Sequence, residues 1–346
     1  MSTTVLVSGG AGYIGSHTVR QLIASGFSVT VVDNLYSGYR WLVPDGAEFV
    51  ERDAGDLAFV SDLIADRGVR AIIHFAGHIV VPESVIDPLK YYQNNCAVSQ
   101  NLIQASRATG VKHFIFSSSA AVYGVPESIP ISESAANAPI NPYGTTKLIT
   151  EWVLRDVARS LAHQGAATPF TYVALRYFNV AGAALDGSIG QATPEATHLI
   201  KVACEAALGK RRNVQIFGTD YPTPDGTCIR DYIHVVDLAR AHVIALQYLL
   251  NGGGAHVLNC GYGRGFSVRE VIQTVRAVSG VDFEVVESDR RLGDPAELVA
   301  DNSLIRSILG WEPELDDLDL ICRTAFDWET ALSAKLAAAS ANREGR

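Results

Sequence analysis

Tyr143 and Lys147 lie four positions apart in the sequence, a spacing that places two side chains on the same face of a helix. An ammonium group beneath a phenol favours the phenolate and lowers the phenol pKa from its usual value of about 10. A phenolate at neutral pH is a general base. The pair therefore predicts a site of proton transfer. An ordinary exposed helix start is the alternative, because so short a motif also occurs by chance.

A glycine-rich turn near the N-terminus predicts an anion-binding element. The apolar run 5–7 is followed by Gly-Gly-Ala-Gly-Tyr-Ile-Gly at 9–15 and then by a helical pattern. Such glycines allow a tight turn, and the N–H groups at the start of the following helix bind a pyrophosphate. We expect Gly9, Gly12 and Gly15 to form this cofactor-binding turn.

Asp33 strengthens that interpretation. It ends the second strand-like run, 29–32, and lies 18 residues after Gly15, close to the spacing expected for a dinucleotide-binding fold. Its carboxylate would accept hydrogen bonds from ribose hydroxyls and repel a 2′-phosphate, which favours NAD over NADP. The alternative is a tight βα turn followed by a surface aspartate.

Strand-like and helical segments alternate along the first half of the chain, which predicts a doubly wound parallel sheet of the α/β class. Further strands are expected at 48–50, 71–75, 113–117 and 170–176. Ligands in such sheets bind at the carboxyl ends of the strands. This rule selects the segments 53–54, 75–77, 117–119 and 177–179.

The alternation fades after Arg176. The segment 237–250 again predicts a helix, and 255–259 predicts a strand that rejoins the main sheet. We therefore expect a Rossmann domain that binds NAD over 1–177, with 229–260 returning to it. A smaller α/β substrate-binding domain is expected over 178–228 and 261–346, with a helix at 318–339 and a frayed end at 341–346.

Composition excludes several classes of protein. The chain has 346 residues, 48% of them hydrophobic, and a formal net charge of −9. Its longest basic run is 210–212, so no nucleic-acid partner is expected.

The five cysteines are odd in number and widely spaced, which argues against a disulfide framework and a structural zinc site, and no metal is expected. Neither a signal peptide nor a membrane-spanning stretch is recognisable, so the cytoplasm is the expected location.

Several sequence blocks together resemble the extended short-chain dehydrogenase/reductase family. They are Gly-Gly-Ala-Gly-Tyr-Ile-Gly-Ser-His at 9–17 and the segments 33–35, 74–77, 117–124, 143–147 and 176–179. Within this family the chain is similar to the enzymes that epimerise UDP-sugars at carbon 4, through the segments 216–218, 221–227, 230–235, 291–294 and 309–311. The resemblance covers nearly the whole chain and keeps the order of the blocks.

The resemblance implies reversible epimerisation at carbon 4 of UDP-glucose and UDP-galactose through a 4-keto intermediate, with tightly bound NAD as a reusable hydride acceptor. Tyr143 would take the proton from the 4-hydroxyl, and Ser119 would hydrogen-bond the same hydroxyl. Lys147 would hold the nicotinamide ribose and keep Tyr143 ionised. The keto sugar would then turn about its link to the diphosphate before hydride returns.

Two sets of ligand contacts are also implied. The NAD contacts are expected at Tyr13, Ile14, Asp33, Asn34, Asp53, Ala54, Phe75, Ala76, Gly77, Asn94, Ser119, Tyr143, Lys147 and Phe178. The UDP-sugar contacts are expected at Ser119, Tyr143, Asn179, Leu199, Phe217, Arg230, Arg291 and Asp294. The two arginines suit a diphosphate and Asp294 suits a ribose, with surface salt bridges as the alternative for the arginines.

Three positions depart from the family pattern. Ile79 replaces a lysine, so a contact with a cofactor phosphate is lost or replaced. His198 replaces an asparagine of the sugar-nucleotide site, and Leu298 replaces an aromatic ring beside the sugar, which leaves room for a 2-acetamido group. The resemblance also implies a homodimer, in which the helix around 92–108 and the helix that starts near Tyr143 form a four-helix contact.

Three other functions compete with this interpretation. The first is 4-epimerisation that acts also or mainly on UDP-N-acetylglucosamine or UDP-xylose. The second is a 4,6-dehydratase, which needs an acid and a base after Ser119, where Ala120 and Ala121 stand. The third is an NAD-binding regulator without turnover, which is disfavoured because Ser119, Tyr143 and Lys147 occur together.

Overall fold

The computed structural model describes residues 2–164, 169–194, 196–291 and 294–344. The strands in this part of the chain are β1 Thr4–Ser8, β2 Ser28–Asp33, β3 Glu48–Glu51, β4 Ala71–His74, β5 His113–Ser119, β6 Thr171–Tyr177, β7 Asn179–Ala181, β8 Asn213–Phe217, β9 Ile229–His234, β10 His256–Cys260, β11 Gly265–Ser267, β12 Glu284–Ser288 and β13 Glu297–Leu298. The α-helices are α1 Tyr13–Ala24, α2 Leu57–Arg67, α3 Val81–Ile86, α4 Pro88–Tyr91, α5 Val98–Thr109, α6 Pro142–His163, α7 Leu199–Ala207, α8 Val235–Leu250, α9 Val268–Ser279, α10 Ser303–Leu309 and α11 Leu318–Glu344.

A seven-stranded parallel sheet forms the centre of the molecule, in the order β10-β6-β5-β4-β1-β2-β3. Successive residues of β1 face opposite cores: Val5 and Val7 pack with α1 and α8, whereas Leu6 packs with α2 and α5. Strands covered on both faces carry continuous apolar runs, as these do. The predicted doubly wound parallel sheet is confirmed.

The site lies where the strand order reverses. β1 pairs with β2 on one side and with β4 on the other. The connections that leave β1 and β4 therefore run to opposite sides of the sheet, and a crevice opens above their carboxyl ends. The glycine turn after β1, Asp33 at the end of β2 and Ser119 at the end of β5 all border this crevice.

The return of the chain to the main sheet differs from the expected boundaries. β10 pairs with β6, as the strand expected at 255–259 should, and α8 packs on α1. However, β9, which was expected to return with them, lies at the centre of a small second sheet with β7, β11 and β13. The sequence of a short buried strand such as β9 is compatible with either sheet. Its pairing with segments distant in the sequence determines which sheet it joins. The division into two domains stays a prediction.

Several elements were not anticipated. The segment 81–97, which carried no prediction up to residue 91, forms α3, α4 and a π-helical turn at Tyr92–Ala97. α11 continues to Glu344, beyond the expected end at 339. Of the predicted frayed end, 341–344 is helical, while Gly345 and Arg346 lie outside the described residues.

All five cysteines are free and buried. Among the described residues, no helix is both long and apolar enough to span a membrane. The same part of the chain brings no three histidine, cysteine, aspartate or glutamate side chains together in a way that could hold a metal ion.

Candidate active site

One cavity of about 1230 Å³ lies above the carboxyl ends of the central strands. Every candidate site residue from the sequence lines it: Gly9, Gly12, Tyr13, Ile14, Gly15, Asp33, Asn34, Asp53, Ala54, Phe75, Ala76, Gly77, Asn94, Ser119, Tyr143, Lys147, Phe178, Asn179, Leu199, Phe217, Arg230, Arg291 and Asp294. A pocket for one small ligand measures roughly 300 to 1,000 Å³. This cavity is therefore large enough for a cofactor and a second ligand.

The glycine turn leaves no room for side chains. A Cβ on Gly15 would lie 2.2 Å from the Gly9 carbonyl oxygen, and one on Gly9 would lie 2.5 Å from the Ala76 nitrogen. Gly9 also has a φ of 75°, which favours glycine. Gly12 caps α1 without a side-chain hydrogen bond, so the N-terminal amides of a twelve-residue helix remain available. This cradle fits a pyrophosphate.

Asp33 is held by the turns on either side of it. Its Oδ2 accepts a hydrogen bond from the Ala11 nitrogen at 3.0 Å, and its Oδ1 accepts one from the Leu35 nitrogen at 2.8 Å. Burial raises the pKa of Asp33, whereas these two N–H groups lower it. A carboxylate offers about four acceptor positions, so two remain for ribose hydroxyls. Together with the glycine turn, this arrangement fits an NAD-type dinucleotide.

Helix α6 carries Tyr143 and Lys147, and its start is tightly fixed. Asn141 caps the helix by accepting a hydrogen bond from the Gly144 nitrogen at 2.9 Å, and Pro142 occupies the first turn. Both features stabilise a helix N-terminus. A Cβ on Gly144 would lie 2.5 Å from the Ala121 carbonyl oxygen. Glycine at this position therefore allows the first turn of α6 to approach the end of β5.

Tyr143 and Lys147 meet the end of β5, as the helix spacing predicts. The Lys147 ammonium donates a hydrogen bond to the Ser117 carbonyl oxygen at 2.8 Å and lies 5.8 Å from the centre of the Tyr143 ring. Ser119 lies close enough to Tyr143 to lower the pKa of its phenol, and its Oγ accepts a hydrogen bond from the Ala121 nitrogen at 3.2 Å. Tyr143 and Lys147 are both buried. A hydroxyl, a phenol and an amine thus line one wall of the cavity.

The electrostatics differ from the sequence-based expectation. Burial lowers the pKa of Lys147 to about 8. Burial also raises the pKa of Tyr143, although the neighbouring Ser119 acts in the opposite direction. The protein's own groups therefore release the lysine proton before the phenol proton. Lys147 does not by itself hold Tyr143 as a phenolate, because desolvation of both groups outweighs their attraction.

The opposite end of the cavity is cationic. Arg230 forms an ion pair with Asp294 and donates a hydrogen bond to the Ile229 carbonyl oxygen at 2.8 Å. The Arg291 guanidinium lies 3.7 Å from the centre of the Phe217 ring, and burial lowers the pKa of Arg291. The sequence treated Arg230 and Asp294 as separate ligand contacts, but here they are paired. Leu292 and Gly293 of this motif lie outside the described residues.

The three departures from the family pattern all line the cavity. Ile79 is 41% exposed. His198 accepts a hydrogen bond through Nδ1 from Gln191 Nε2 at 3.0 Å. Leu298 packs with Phe178 against the buried cluster of Ala120, Val122, Tyr123, Ile131 and Leu148.

Two features of the site were not predicted from the sequence. Asn95, in the π-helical turn, donates hydrogen bonds to the His78 carbonyl oxygen and to Thr146 Oγ1, each at 3.1 Å. It thereby joins the loop after β4 to α6. A buried cluster joins Glu151 of α6 to Arg176 of β6 and Ser118 of β5. The sequence does contain one indication of this cluster, because Glu151 lies four residues beyond Lys147 on the same helix face.

Comparison with known proteins defines the class first. The profile described as the NAD dependent epimerase/dehydratase family matches residues 5–261. The chain belongs to this family, as its parallel sheet and glycine turn indicate.

Individual relatives narrow the class further. The chain is 54% identical over 340 residues to a UDP-glucose 4-epimerase of Azospirillum brasilense, covering 98% of this chain and 96% of that protein. A crystal structure of UDP-glucose 4-epimerase from Brucella ovis in complex with NAD is similar at 47% identity and a TM-score of 0.89, covering 94% and 98% of the two chains. The UDP-Glc/GlcNAc 4-epimerase of Campylobacter jejuni is similar at 49% identity and a TM-score of 0.83, covering 95% and 99%.

These matches confirm four predictions from the sequence: the family, the Rossmann fold, NAD as cofactor, and an isomerase of the UDP-glucose 4-epimerase type. They do not favour the competing functions, which were a dehydratase, a regulator without turnover and a 4-epimerase mainly of other UDP-sugars. The role of each residue in the cavity stays a prediction.

Proposed function

We propose that this chain interconverts UDP-glucose and UDP-galactose at carbon 4, with Tyr143, Lys147 and Ser119 as its catalytic residues and tightly bound NAD as its cofactor. The observation that supports the proposal is the position of Tyr143 beside Ser119 in one cavity with two distinct ends. One end has the glycine turn and the other has the arginines. The reacting groups therefore face both a dinucleotide and a nucleotide sugar.

At the cofactor end, the amides at the start of α1 bind the pyrophosphate, and Asp33 accepts hydrogen bonds from the adenosine ribose. Asn34, Asp53 and Ala54 complete the adenosine side of the cavity. NAD held there would supply the acceptor and donor of the carbon 4 hydride, and the positive charge of its oxidised ring would lower the pKa of Tyr143. Lys147 holds the nicotinamide ribose and adds a second positive charge beside the phenol.

Tyr143 takes the proton from the sugar 4-hydroxyl and later gives it back, which is general base and then general acid catalysis. Ser119, which lies beside Tyr143, binds the same 4-hydroxyl and orients it toward the phenol. Because both residues are fixed to the ends of β5 and α6, the hydroxyl meets them in a defined geometry.

At the other end, Arg230 and Arg291 bind the diphosphate, and Asp294 and Phe217 contact the nucleoside. The 4-keto sugar would then turn about its link to the diphosphate and present its opposite face. Retention of the diphosphate during this turn requires both arginines. The stacking of Arg291 on Phe217 holds one of them in place.

The experiment that tests this proposal uses UDP-galactose labelled with deuterium at carbon 4. Hydride that leaves and returns within one active site keeps the label, so the UDP-glucose formed is expected to retain deuterium at carbon 4. Washout of the label into water, or its appearance in free cofactor, contradicts the proposal. Mass spectrometry of the product distinguishes these outcomes.

We also propose a homodimer. α3 and α4 pack against α6, and these helices expose Val85, Ile86, Leu89 and Trp152, of which Ile86 is 84% exposed. Leu148 is buried, and Val153 and Val157 pack against the core, whereas Trp152 of α6 is exposed. Exposed apolar patches of this kind indicate a protein interface.

Light scattering is expected to give twice the chain mass of 37.1 kDa. Replacement of Trp152 and Ile86 by glutamate is expected to give the single-chain mass, whereas a wild-type monomer at micromolar concentration contradicts the proposal.

We further propose a cytoplasmic location, supported by five thiols that remain unpaired. Cell fractionation tests it.

A further inference from the structure

A buried ion pair lies one helical turn beyond Lys147. Glu151 Oε1 accepts a hydrogen bond from Arg176 Nε at 2.9 Å, and Glu151 Oε2 accepts one from Arg176 Nη2 at 2.5 Å. Both side chains are 4% exposed. Ser118 Oγ also donates to Glu151 Oε1, at 2.5 Å. The carboxylate on α6 therefore binds donors from two neighbouring strands, β5 and β6.

Arg176 is fixed from its other side as well. Its guanidinium carbon lies 4.8 Å from the centre of the buried Tyr123 ring. The Tyr123 hydroxyl donates a hydrogen bond to Asn259 Oδ1, on β10, at 2.6 Å. Ser118 and Arg176 are also direct partners in the pairing of β5 with β6. The ion pair thus connects α6 to three adjacent strands of the sheet.

The same face of α6 meets the end of β5 at three successive serines. Lys147 donates a hydrogen bond to the Ser117 carbonyl oxygen, Glu151 accepts one from Ser118, and Ser119 lies close enough to Tyr143 to lower the pKa of its phenol. Two of these contacts involve groups of the proposed reaction. The contact between Glu151 and Ser118 lies away from the cavity and involves neither ligand.

We propose that Glu151 is a positioning residue, whose contacts with Ser118 and Arg176 fix the rotation and height of α6 so that Tyr143 and Lys147 face Ser119. The proposal rests on the proposed function, in which Tyr143 exchanges the proton of the substrate. Stability alone does not explain the pair, because buried ion pairs replaced by apolar residues often leave stability unchanged or higher. Displacement of catalytic groups by about 1 Å, in contrast, reduces rates about 100-fold.

Two variants separate position from stability. Glu151→Gln combined with Arg176→Met removes both charges together, so no unpaired charge is buried. Ser118→Ala removes the contact with β5 and leaves the ion pair in place. The matched control is Glu48→Gln combined with Arg67→Met, because Arg67 binds Glu48 through the same two-pronged geometry, at 2.9 and 2.7 Å, on the outer edge of the sheet.

Each variant is purified with its bound NAD, and initial rates with UDP-galactose are expressed per bound NAD. We expect kcat to fall roughly 10- to 100-fold in the double variant and by a smaller factor in Ser118→Ala, with KM within about twofold in both. The pH below which kcat falls is expected to move upward in both variants, because Ser119 and Lys147 no longer face the Tyr143 phenolate. The control pair is expected to keep the wild-type kcat and pH profile.

The fall of kcat at low pH reports Tyr143. Lys147, whose pKa burial lowers to about 8, gains its positive charge as the pH falls and therefore favours the phenolate. The other titratable neighbours of Tyr143 and Lys147 keep one protonation state near neutral pH. Burial raises the pKa of Cys96 to about 11 and lowers that of His74 to about 3. Burial also raises the pKa of Tyr177.

The positioning role is wrong if the double variant keeps the wild-type kcat and the wild-type pH below which kcat falls, and only its melting temperature is lower. If the double variant does not fold, Ser118→Ala decides: an unchanged kcat and pH limb there also overturn it. A wild-type protein that does not epimerise UDP-galactose contradicts the proposed function instead, so the two failures are distinguishable.

Discussion

Lys147→Met tests how the buried amine assists the phenol. The side chain is 4% exposed, its ammonium lies 5.8 Å from the centre of the Tyr143 ring, and its hydrogen bond is to the Ser117 carbonyl oxygen. Methionine has a similar length and apolar stem but no charge. The substitution therefore removes the positive charge beside Tyr143 with little change in packing.

The size of the effect follows from the distance. Two unit charges about 6 Å apart interact by roughly 3 kcal/mol at an effective dielectric constant of about 20, which is about two pKa units. We expect the variant to raise the pKa of Tyr143 in the substrate complex by that amount. Below this pKa, about 100-fold fewer molecules carry the phenolate, and kcat falls in proportion.

The pH dependence distinguishes charge from packing. Because burial lowers the pKa of Lys147 to about 8, the positive charge is present below about pH 8 and is lost as the pH rises through that value. The ratio of wild-type to variant kcat is therefore expected to be largest at pH 6–7 and to shrink toward pH 10. The assay is the initial rate with saturating UDP-galactose across this range, expressed per bound NAD because Lys147 also holds the cofactor.

A ratio that is the same at every pH refutes the electrostatic role. A second check uses Tyr143→Phe, in which there is no phenolate to stabilise. Adding Lys147→Met to that variant is expected to change its residual kcat by no more than about twofold, since interacting residues are not additive. A further 100-fold loss means that Lys147 acts independently of Tyr143.

Three other results are expected. Tyr143→Phe keeps the ring and removes the base, so kcat falls at least about 100-fold while the content of bound NAD is unchanged; a loss under tenfold rejects Tyr143 as the proton-transfer residue. The wild-type protein is expected to epimerise UDP-N-acetylglucosamine detectably. Leu298→Tyr is expected to suppress that activity while UDP-galactose turnover stays within about threefold, because a larger ring fills the wall beside Phe178. A wild-type protein with no activity on the acetamido sugar shows that Leu298 does not open the site. Burial lowers the pKa of His17, His74, His234 and His242 to about 4, 3, 4 and 4, so below about pH 6.5 the unfolded chain binds protons that the folded chain does not. The free energy of unfolding, measured in urea, is therefore expected to fall by up to about 5 kcal/mol per pH unit. Equal stability at pH 7 and pH 5 contradicts this prediction.

The sequence was sufficient to predict the parallel sheet and to select the residues that line the cavity. Short-range rules explain this result: glycines define the turn after β1, helix spacing brings Tyr143 and Lys147 to one face, and parallel strands gather their carboxyl ends at one edge. The position of a residue in the cavity follows from such rules, because it depends on the nearest strand or helix.

Interactions between distant segments could not be predicted in this way. Arg230 and Asp294 are 64 residues apart and pair only in the fold. The raised pKa of Tyr143 and the lowered pKa of Lys147 come from burial, which a motif does not reveal. The pairing of β9 with β7, and the contacts of Glu151 with two strands, likewise depend on the assembled sheet.

The most direct test of the central claim is incubation of the purified protein with UDP-galactose alone, with products read by NMR. The account predicts conversion to an equilibrium mixture with UDP-glucose, without added NAD and without release of free NADH. A strict requirement for added NAD together with stoichiometric NADH, or recovery of UDP-galactose unchanged from protein that contains bound NAD, would contradict it.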